Sequence, residues 1–221
     1  MFSTFQGEGS RAGQPAVFVR LSGCNLWTGH EKDRDASKFD CGGWCDTDFA
    51  GGDPYECDAL VEAVAELAAG MSTVLIVLTG GEPMLQLGHA DGRGVDLVAS
   101  MRRRGWVVAV ETNGTRPVPR ELAPLLSHVT VSPKAARVDG AASPGTDHLR
   151  SFAAQDLKIV VPCPMPIDAL VKLYPRAELF FQPRDLGGGD SGATYLQEAL
   201  RLARDHGGRV SLQTHKFAGM P

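Results

Sequence analysis

Apolar residues along the chain gather in short runs, several of them closed by Gly, Pro or Asn. Ala16–Arg20 (AVFVR), Val74–Leu78 (VLIVL), Trp106–Val110 (WVVAV), Val129–Val131, Leu157–Val161 (LKIVV), Leu179–Phe181 and Val210–Leu212 are rich in Val, Ile and Phe. Runs of that length and composition predict buried strands. Asp58–Ala69 behaves differently, with apolar residues at Leu60, Val61, Val64, Ala65 and Leu67. That is helical period, and Val95–Arg104 and Thr194–His206 share it. The alternation of strand and helix predicts an α/β domain with mostly parallel strands. Three stretches fall outside it and read as loops: Asn25–Gly52, Gly140–His148 and Leu186–Gly192.

The predicted strands end in polar residues. Thr79-Gly80-Gly81-Glu82-Pro83, Glu111-Thr112-Asn113-Gly114, Ser132-Pro133-Lys134, Gln182-Pro183 and Gln213-Thr214-His215-Lys216 each follow one. Any one of these reads equally well as a turn. Parallel strands in a barrel bring their carboxyl ends to one face, where barrel enzymes build active sites, and five such ends favour a site.

Composition narrows the class. The chain has 221 residues, 43% hydrophobic and 22% charged, which fits a single domain over 1–221. A net charge of −4 offers no chain-wide attraction to phosphates, so no nucleic-acid partner is expected. The run Arg102-Arg103-Arg104 reads as a helix end, where cations favour the dipole. No stretch approaches 18 apolar residues and no basic, apolar leader opens the chain, so a cytoplasmic protein off the membrane is expected. The 26 Gly and 14 Pro indicate many tight turns or close approaches of backbone to ligand.

The five cysteines are an odd number, so a complete set of internal disulfides is impossible. Cys24, Cys41 and Cys45 sit together, the latter two inside the long loop. Sixteen residues separate the first pair and three the second. Three thiolates suit a 4Fe–4S cluster with one open iron. Structural zinc wants four closed ligands, and His30 is the residue that could complete such a set. Unrelated buried thiols are the third possibility. Cys57 and Cys163 have no partner at ligand spacing and read as packing residues.

Gly23-Cys24-Asn25-Leu26-Trp27 and Cys41-Gly42-Gly43-Trp44-Cys45-Asp46-Thr47 resemble the radical S-adenosylmethionine superfamily, with Trp44 as the aromatic before its last cysteine. Thr79–Pro83 resembles that superfamily's methionine-binding GGEP motif. Thr4–Gly9 (TFQGEG), Phe18–Cys24, Cys45–Phe49 (CDTDF), Ser132–Lys134 and Gln213–Lys216 (QTHK) together resemble the 7-carboxy-7-deazaguanine synthase family within it. The resemblance runs from Thr4 to the last residue. It departs in the long Cys24–Cys41 gap and in one extra residue between Cys41 and Cys45, which Gly42 and Gly43 can absorb. The strand that precedes QGEG in the family is expected to be missing or trimmed here.

The resemblance implies a partial (β/α) barrel of about six mostly parallel strands with three main outer helices, and a cluster-binding loop at about 24–52. It implies a lyase of queuosine biosynthesis that converts 6-carboxy-5,6,7,8-tetrahydropterin to 7-carboxy-7-deazaguanine with loss of ammonia. The cofactors would be a 4Fe–4S cluster on Cys24, Cys41 and Cys45, S-adenosylmethionine, and Mg2+ on Thr47. Gly80, Gly81 and Glu82 would hold the methionine end of S-adenosylmethionine, and Glu111, Asn113, Ser132, Lys134 and Gln182 the rest of it. Gln6, Glu8, Arg20, His215 and the carboxylate of Pro221 would meet the pterin. Flavodoxin or ferredoxin as electron donor and a homodimer belong to the same expectation. Other members of the superfamily, such as activases of glycyl-radical enzymes, and a non-catalytic zinc or iron–sulfur module are the competing readings.

Overall fold

Among the described residues ten strands form: β1 (Phe2–Phe5), β2 (Pro15–Leu21), β3 (Leu75–Gly80), β4 (Val107–Thr112), β5 (His128–Val131), β6 (Arg137–Val138), β7 (Ala141–Ala142), β8 (Asp156–Val161), β9 (Glu178–Pro183) and β10 (Arg209–Val210). The computed structural model describes residues 1–184 and 190–220, the side chains of 190–192 excepted. Eight strands make one sheet in the order β1-β2-β3-β4-β5-β8-β9-β10. Every neighbour from β2 to β10 pairs in parallel, and only β1 runs antiparallel, opposite β2. All seven expected strands are present. A further strand, β1, lies before QGEG, with Phe2 stacked on Phe18 at 5.4 Å, so that strand is not missing. The last strand is shorter than Val210–Leu212 and one residue earlier.

The three expected helices are α1 (Cys57–Leu67), α3 (Arg93–Arg103) and α5 (Asp190–His206); a short α2 (Met84–Leu87), α4 (Ile167–Leu173) and α6 (Thr214–Phe217) add to them. In α1 the buried residues are Leu60, Val61 and Val64, and in α3 they are Gly94, Leu97, Val98 and Met101. Each set is one helical face, and both join the main core. The Arg102–Arg104 run closes α3: Arg102 donates to the Trp106 carbonyl at 2.9 Å and Arg104 pairs with Glu62. Of the loop expected at 186–192, residues 186–189 lie outside the described residues and α5 takes up the rest. The stretch at 140–148 overlaps a small hairpin, β6 with β7.

Strand alternation separates two faces. Val17, Val19, Ile76, Leu78, Val108, Val110, Leu157, Ile159 and Phe181 face the helices in the main core. The intervening Ala16, Leu75, Val77 and Ala109, with Phe18 and Val107 beside them, form a second apolar layer on the opposite face. The register continues toward the strand ends, so Arg20, Thr79, Glu111 and Lys158 belong to that second face.

The connection from β1 to β2, residues 6–14, runs across the inner face. Gln6 reaches Glu111 on β4, Ser10 reaches Asp156 on β8, and the Gly9 N–H reaches the Ser211 hydroxyl just after β10. A loop from one edge of the sheet touches the opposite edge only because the sheet curls around it. This is the half-barrel expected from the resemblance, with the loop as a belt inside it.

The belt is pinned at Asp156, which is 2% exposed. Its carboxylate accepts from the Ser10 N–H at 2.9 Å and the Ser10 hydroxyl at 2.8 Å, and sits 3.1 Å from His128 Nε2. Burial pushes the carboxyl up, but the His128 and Ser10 hydrogen bonds outweigh it and hold it below the usual range. Asp156→Asn places an amide N–H2 among donors. It is expected to lower unfolding stability by about 1–3 kcal/mol. The denaturation midpoint and faster amide exchange at Gly9 and Ser10 are the measurements.

Candidate active site

The carboxyl ends of the strands, the belt and the long loop enclose one cavity of about 310 Å3. Cys24, Cys41 and Cys45 all line it, and all three thiols are free. Cys41 lies in a 3-10 turn, Asp40–Gly43. The Trp44 and Cys45 N–H groups both donate back to the Cys41 carbonyl, at 3.1 and 2.7 Å. The extra residue between the two cysteines is therefore taken up in a single helical turn, which returns both side chains to one face. Burial raises the Cys41 thiol to about 12, opposed by Lys134, with Cys45 and Cys24 pushing it further up. Burial also raises Cys24, against N–H groups of Leu26 and Trp27.

Three free thiols lining one cavity, Cys24 and Cys41 among them raised by burial, fit a cationic group of several irons, which replaces thiol protons. They fit a single ion poorly: among the described residues no three His, Cys, Asp or Glu side chains converge on one metal position. His30 is exposed and lies outside the cavity lining, so it does not complete a zinc set.

The long loop owes its order to clamps rather than to period. Arg34 donates to the Gly42 carbonyl at 2.9 Å and to the Cys45 carbonyl at 3.2 Å, and its guanidinium lies 4.8 Å from the Trp27 ring centre. Trp44 Nε1 donates to Asp40 at 2.9 Å. Asn25 bonds both Asn113 and Thr115 beyond β4. Lys216 of α6 reaches Asp46 at 2.9 Å, joining the end of the chain to the loop.

The motif after β3 is held against this loop. The Gly81 N–H donates to the Leu21 carbonyl at 3.3 Å and the Glu82 N–H to the Gly23 carbonyl at 2.9 Å. Gly80 and Gly81 line the cavity, whereas Glu82 does not. Glu82 is fully buried and accepts from the Met84 and Asn113 N–H groups at 3.0 and 2.7 Å and from the Thr112 hydroxyl at 2.7 Å. Burial raises its carboxyl against those bonds. In this structure it is a strut between the ends of β3 and β4.

Glu111, Asn113, Ser132, Lys134 and Gln182 all line the cavity, as do Gln6, Glu8, Arg20, Thr47 and His215. Pro221 lies outside the described residues. Lys134 donates to the Ser132 hydroxyl at 2.6 Å, and burial lowers its basicity. His215 packs on Gly7, where a Cβ would come within 2.0 Å of its Nδ1.

Lys158 and Gln213 carry no role in the sequence reading, yet both line the cavity and both bind Glu8. Lys158 pairs with one oxygen of Glu8, and Gln213 and Gln182 donate to the other at 2.8 and 3.1 Å. A lysine inside the apolar run LKIVV was the available signal, since such a strand buries its lysine against something. Burial works to raise the Glu8 carboxyl, but the Lys158 charge and the bonds from Lys158 and Gln213 outweigh it and bring it to about 2. Because the folded value is depressed, the pair's stabilisation is present above the ordinary value of 4.5 and is lost as pH falls toward about 2. Acid unfolding followed by tryptophan fluorescence should steepen across that window. Glu8→Gln should remove that component.

No protein-family model matches the chain. It is 41% identical to the 7-carboxy-7-deazaguanine synthase of Nitratidesulfovibrio vulgaris, over all of this chain and 97% of the relative. Against the enzymes of that name from Caulobacter vibrioides and Bordetella pertussis the identities are 38% and 36%, with the same coverage. The fold matches the crystal structure of QueE from Escherichia coli with a TM-score of 0.63 at 22% identity, over 96% of this chain and 91% of that one. A curled parallel sheet with three cysteines and a GGEP turn at its carboxyl ends defines a radical S-adenosylmethionine enzyme. Within that class, the chain belongs to the 7-carboxy-7-deazaguanine synthase family, as its full-length identities show.

Proposed function

We propose that this chain converts 6-carboxy-5,6,7,8-tetrahydropterin to 7-carboxy-7-deazaguanine with loss of ammonia. One observation carries the reading: a single cavity joins three free thiols to a carboxylate held by Lys158, Gln182 and Gln213. Cys24, Cys41 and Cys45 would hold a 4Fe–4S cluster, and Gly80, Gly81, Glu111, Asn113, Ser132, Lys134 and Gln182 would surround S-adenosylmethionine. When bound, these two groups supply one-electron cleavage and hydrogen abstraction. Glu82 would act on the methionine end indirectly, by fixing the turn that carries Gly80 and Gly81. Glu8 would accept from the 2-amino and ring N–H groups of the pterin. Arg20, on the inner face of β2, would offer a bidentate fork to the substrate carboxylate, and Gln6 and His215, in the same lining, would also meet the pterin. Thr47, half-buried in the lining, would give Mg2+ one oxygen ligand while waters supply the others.

No helix among the described residues is long and apolar enough to cross a membrane. A cytoplasmic homodimer fed by flavodoxin or ferredoxin completes the proposal. The test is anaerobic reconstitution with iron and sulfide, followed by reductant, S-adenosylmethionine and 6-carboxy-tetrahydropterin. The expected result is a brown protein and a 7-deazaguanine product. Cofactor cleavage with no deazaguanine would assign the chain a different substrate.

A further inference from the structure

Glu8 meets donors only. Its Oε2 is taken by Lys158 Nζ, and its Oε1 accepts from Gln213 and Gln182. The Gln182 amide turns its N–H2 to the carboxylate, which can only accept, and its oxygen to the Ser211 hydroxyl at 3.2 Å. Gln6 fixes the backbone at the same point by accepting the Glu8 N–H at 3.1 Å. The pair is enclosed: the Lys158 side chain is 7% exposed and that of Glu8 13%. A carboxylate offers about four acceptor positions, and three are used. A ligand edge arriving there finds acceptor capacity and no proton to accept.

We propose that Lys158 is a specificity-determining residue: by holding Oε2 of Glu8 it keeps that carboxylate ionised and acceptor-only, so the cavity selects a ring edge that presents an N–H donor to the remaining acceptor position over one that presents a carbonyl there. The inference rests on the reading that Glu8 faces the substrate. Without the lysine, a carboxylate enclosed in this way takes up a proton rather than remain an unpaired buried charge. It then donates as well as accepts, and a carbonyl edge becomes acceptable.

Two probes differ at that edge alone. 6-Carboxypterin carries a 2-amino group and 6-carboxylumazine a 2-oxo group. Equilibrium dialysis under anaerobic conditions measures both on the reconstituted enzyme with S-adenosylmethionine and no reductant. The unmodified chain should prefer the pterin by on the order of 100-fold, because a carbonyl facing the carboxylate leaves buried acceptors unpaired. Lys158→Met should reduce that ratio at least about 10-fold, and Lys158→Arg should keep it. A purely structural ion pair would lower stability in Lys158→Met and leave the ratio unchanged. If Lys158→Met melts below the assay temperature, Lys158→Gln replaces it, since it can still donate to Glu8 but carries no charge. An unchanged ratio there overturns the proposal. Glu8→Gln separates the two layers: should it keep the native ratio, Glu8 does not face the ligand and both readings fall. Should it lose the ratio while the Lys158 variants keep it, only the role of Lys158 falls.

Discussion

Replacing Cys45 with alanine is expected to abolish iron–sulfur absorbance and all turnover, and Cys24→Ala and Cys41→Ala are expected to do the same. Three thiols share the cavity, and no fourth cysteine among the described residues lines it. Loss of one leaves two, and nothing stands in reserve. Outer partners of a metal site typically cost about 10–100-fold when removed, and a missing ligand should cost more. Arg34→Ala sets that lower scale, because Arg34 touches the Gly42 and Cys45 carbonyls and none of the thiols. Cys57→Ala and Cys163→Ala should stay brown and active. The Cys57 thiol, at the start of α1, points to the Arg93 carbonyl, and that of Cys163 points to the Met165 carbonyl. The readouts are the visible spectrum, iron per chain and cleavage of S-adenosylmethionine after reduction. Bleaching by Cys57→Ala with retention in Cys45→Ala would reverse the ligand assignment.

How legible each part was follows from what holds it. Strands such as VLIVL and WVVAV are buried between two apolar layers, and burial on both sides writes itself as an unbroken apolar run. The strand β1 writes nothing comparable: FSTF is an edge strand that pairs with β2 along its length, with Phe2 stacked on Phe18. The helix α4 is equally quiet, with Leu170 its one buried residue. Polar residues at strand ends were readable as a site because parallel register carries them to one face. The belt was not, because its contacts from Gln6, Glu8, Gly9 and Ser10 cross more than a hundred residues of chain. Lys158 belongs to that hidden set: its partner Glu8 is 150 residues away. The partners of Glu82 were hidden for a similar reason. A carboxylate after two glycines suggests a ligand, and only the fold shows three donors from its own and the neighbouring strand end already on it.

Gly81→Ala should be among the most damaging substitutions that remove no chemical group. A Cβ at Gly81 would stand 2.3 Å from the Gly23 carbonyl oxygen and 2.7 Å from Cys24 Cβ. Backbone cannot swing aside as a long side chain can, so the strand end and the loop start must part. Parting them strains the bonds from Gly81 N–H to Leu21 and from Glu82 N–H to Gly23. Overpacking costs about 1–3 kcal/mol and each lost bond about 1 kcal/mol, so a loss of about 3 kcal/mol or more is expected. For a chain of this size that is a drop of roughly 6–12 °C in melting temperature. Cys24 moves with Gly23, so iron per chain should fall as well, even in the fraction that folds. Gly43→Ala is the matched control: it lies between Cys41 and Cys45, yet nothing stands within 4 Å of its added Cβ. It should change stability by no more than about 0.5 kcal/mol and bind iron normally. The contrast tests what the glycine pair is for. If Gly81→Ala melts normally and loads iron fully but no longer cleaves S-adenosylmethionine, the small side chain serves the cofactor alone. If melting and iron fall together, the pair first holds Cys24 in place, and close approach of a ligand is a use made of backbone already bared for that contact.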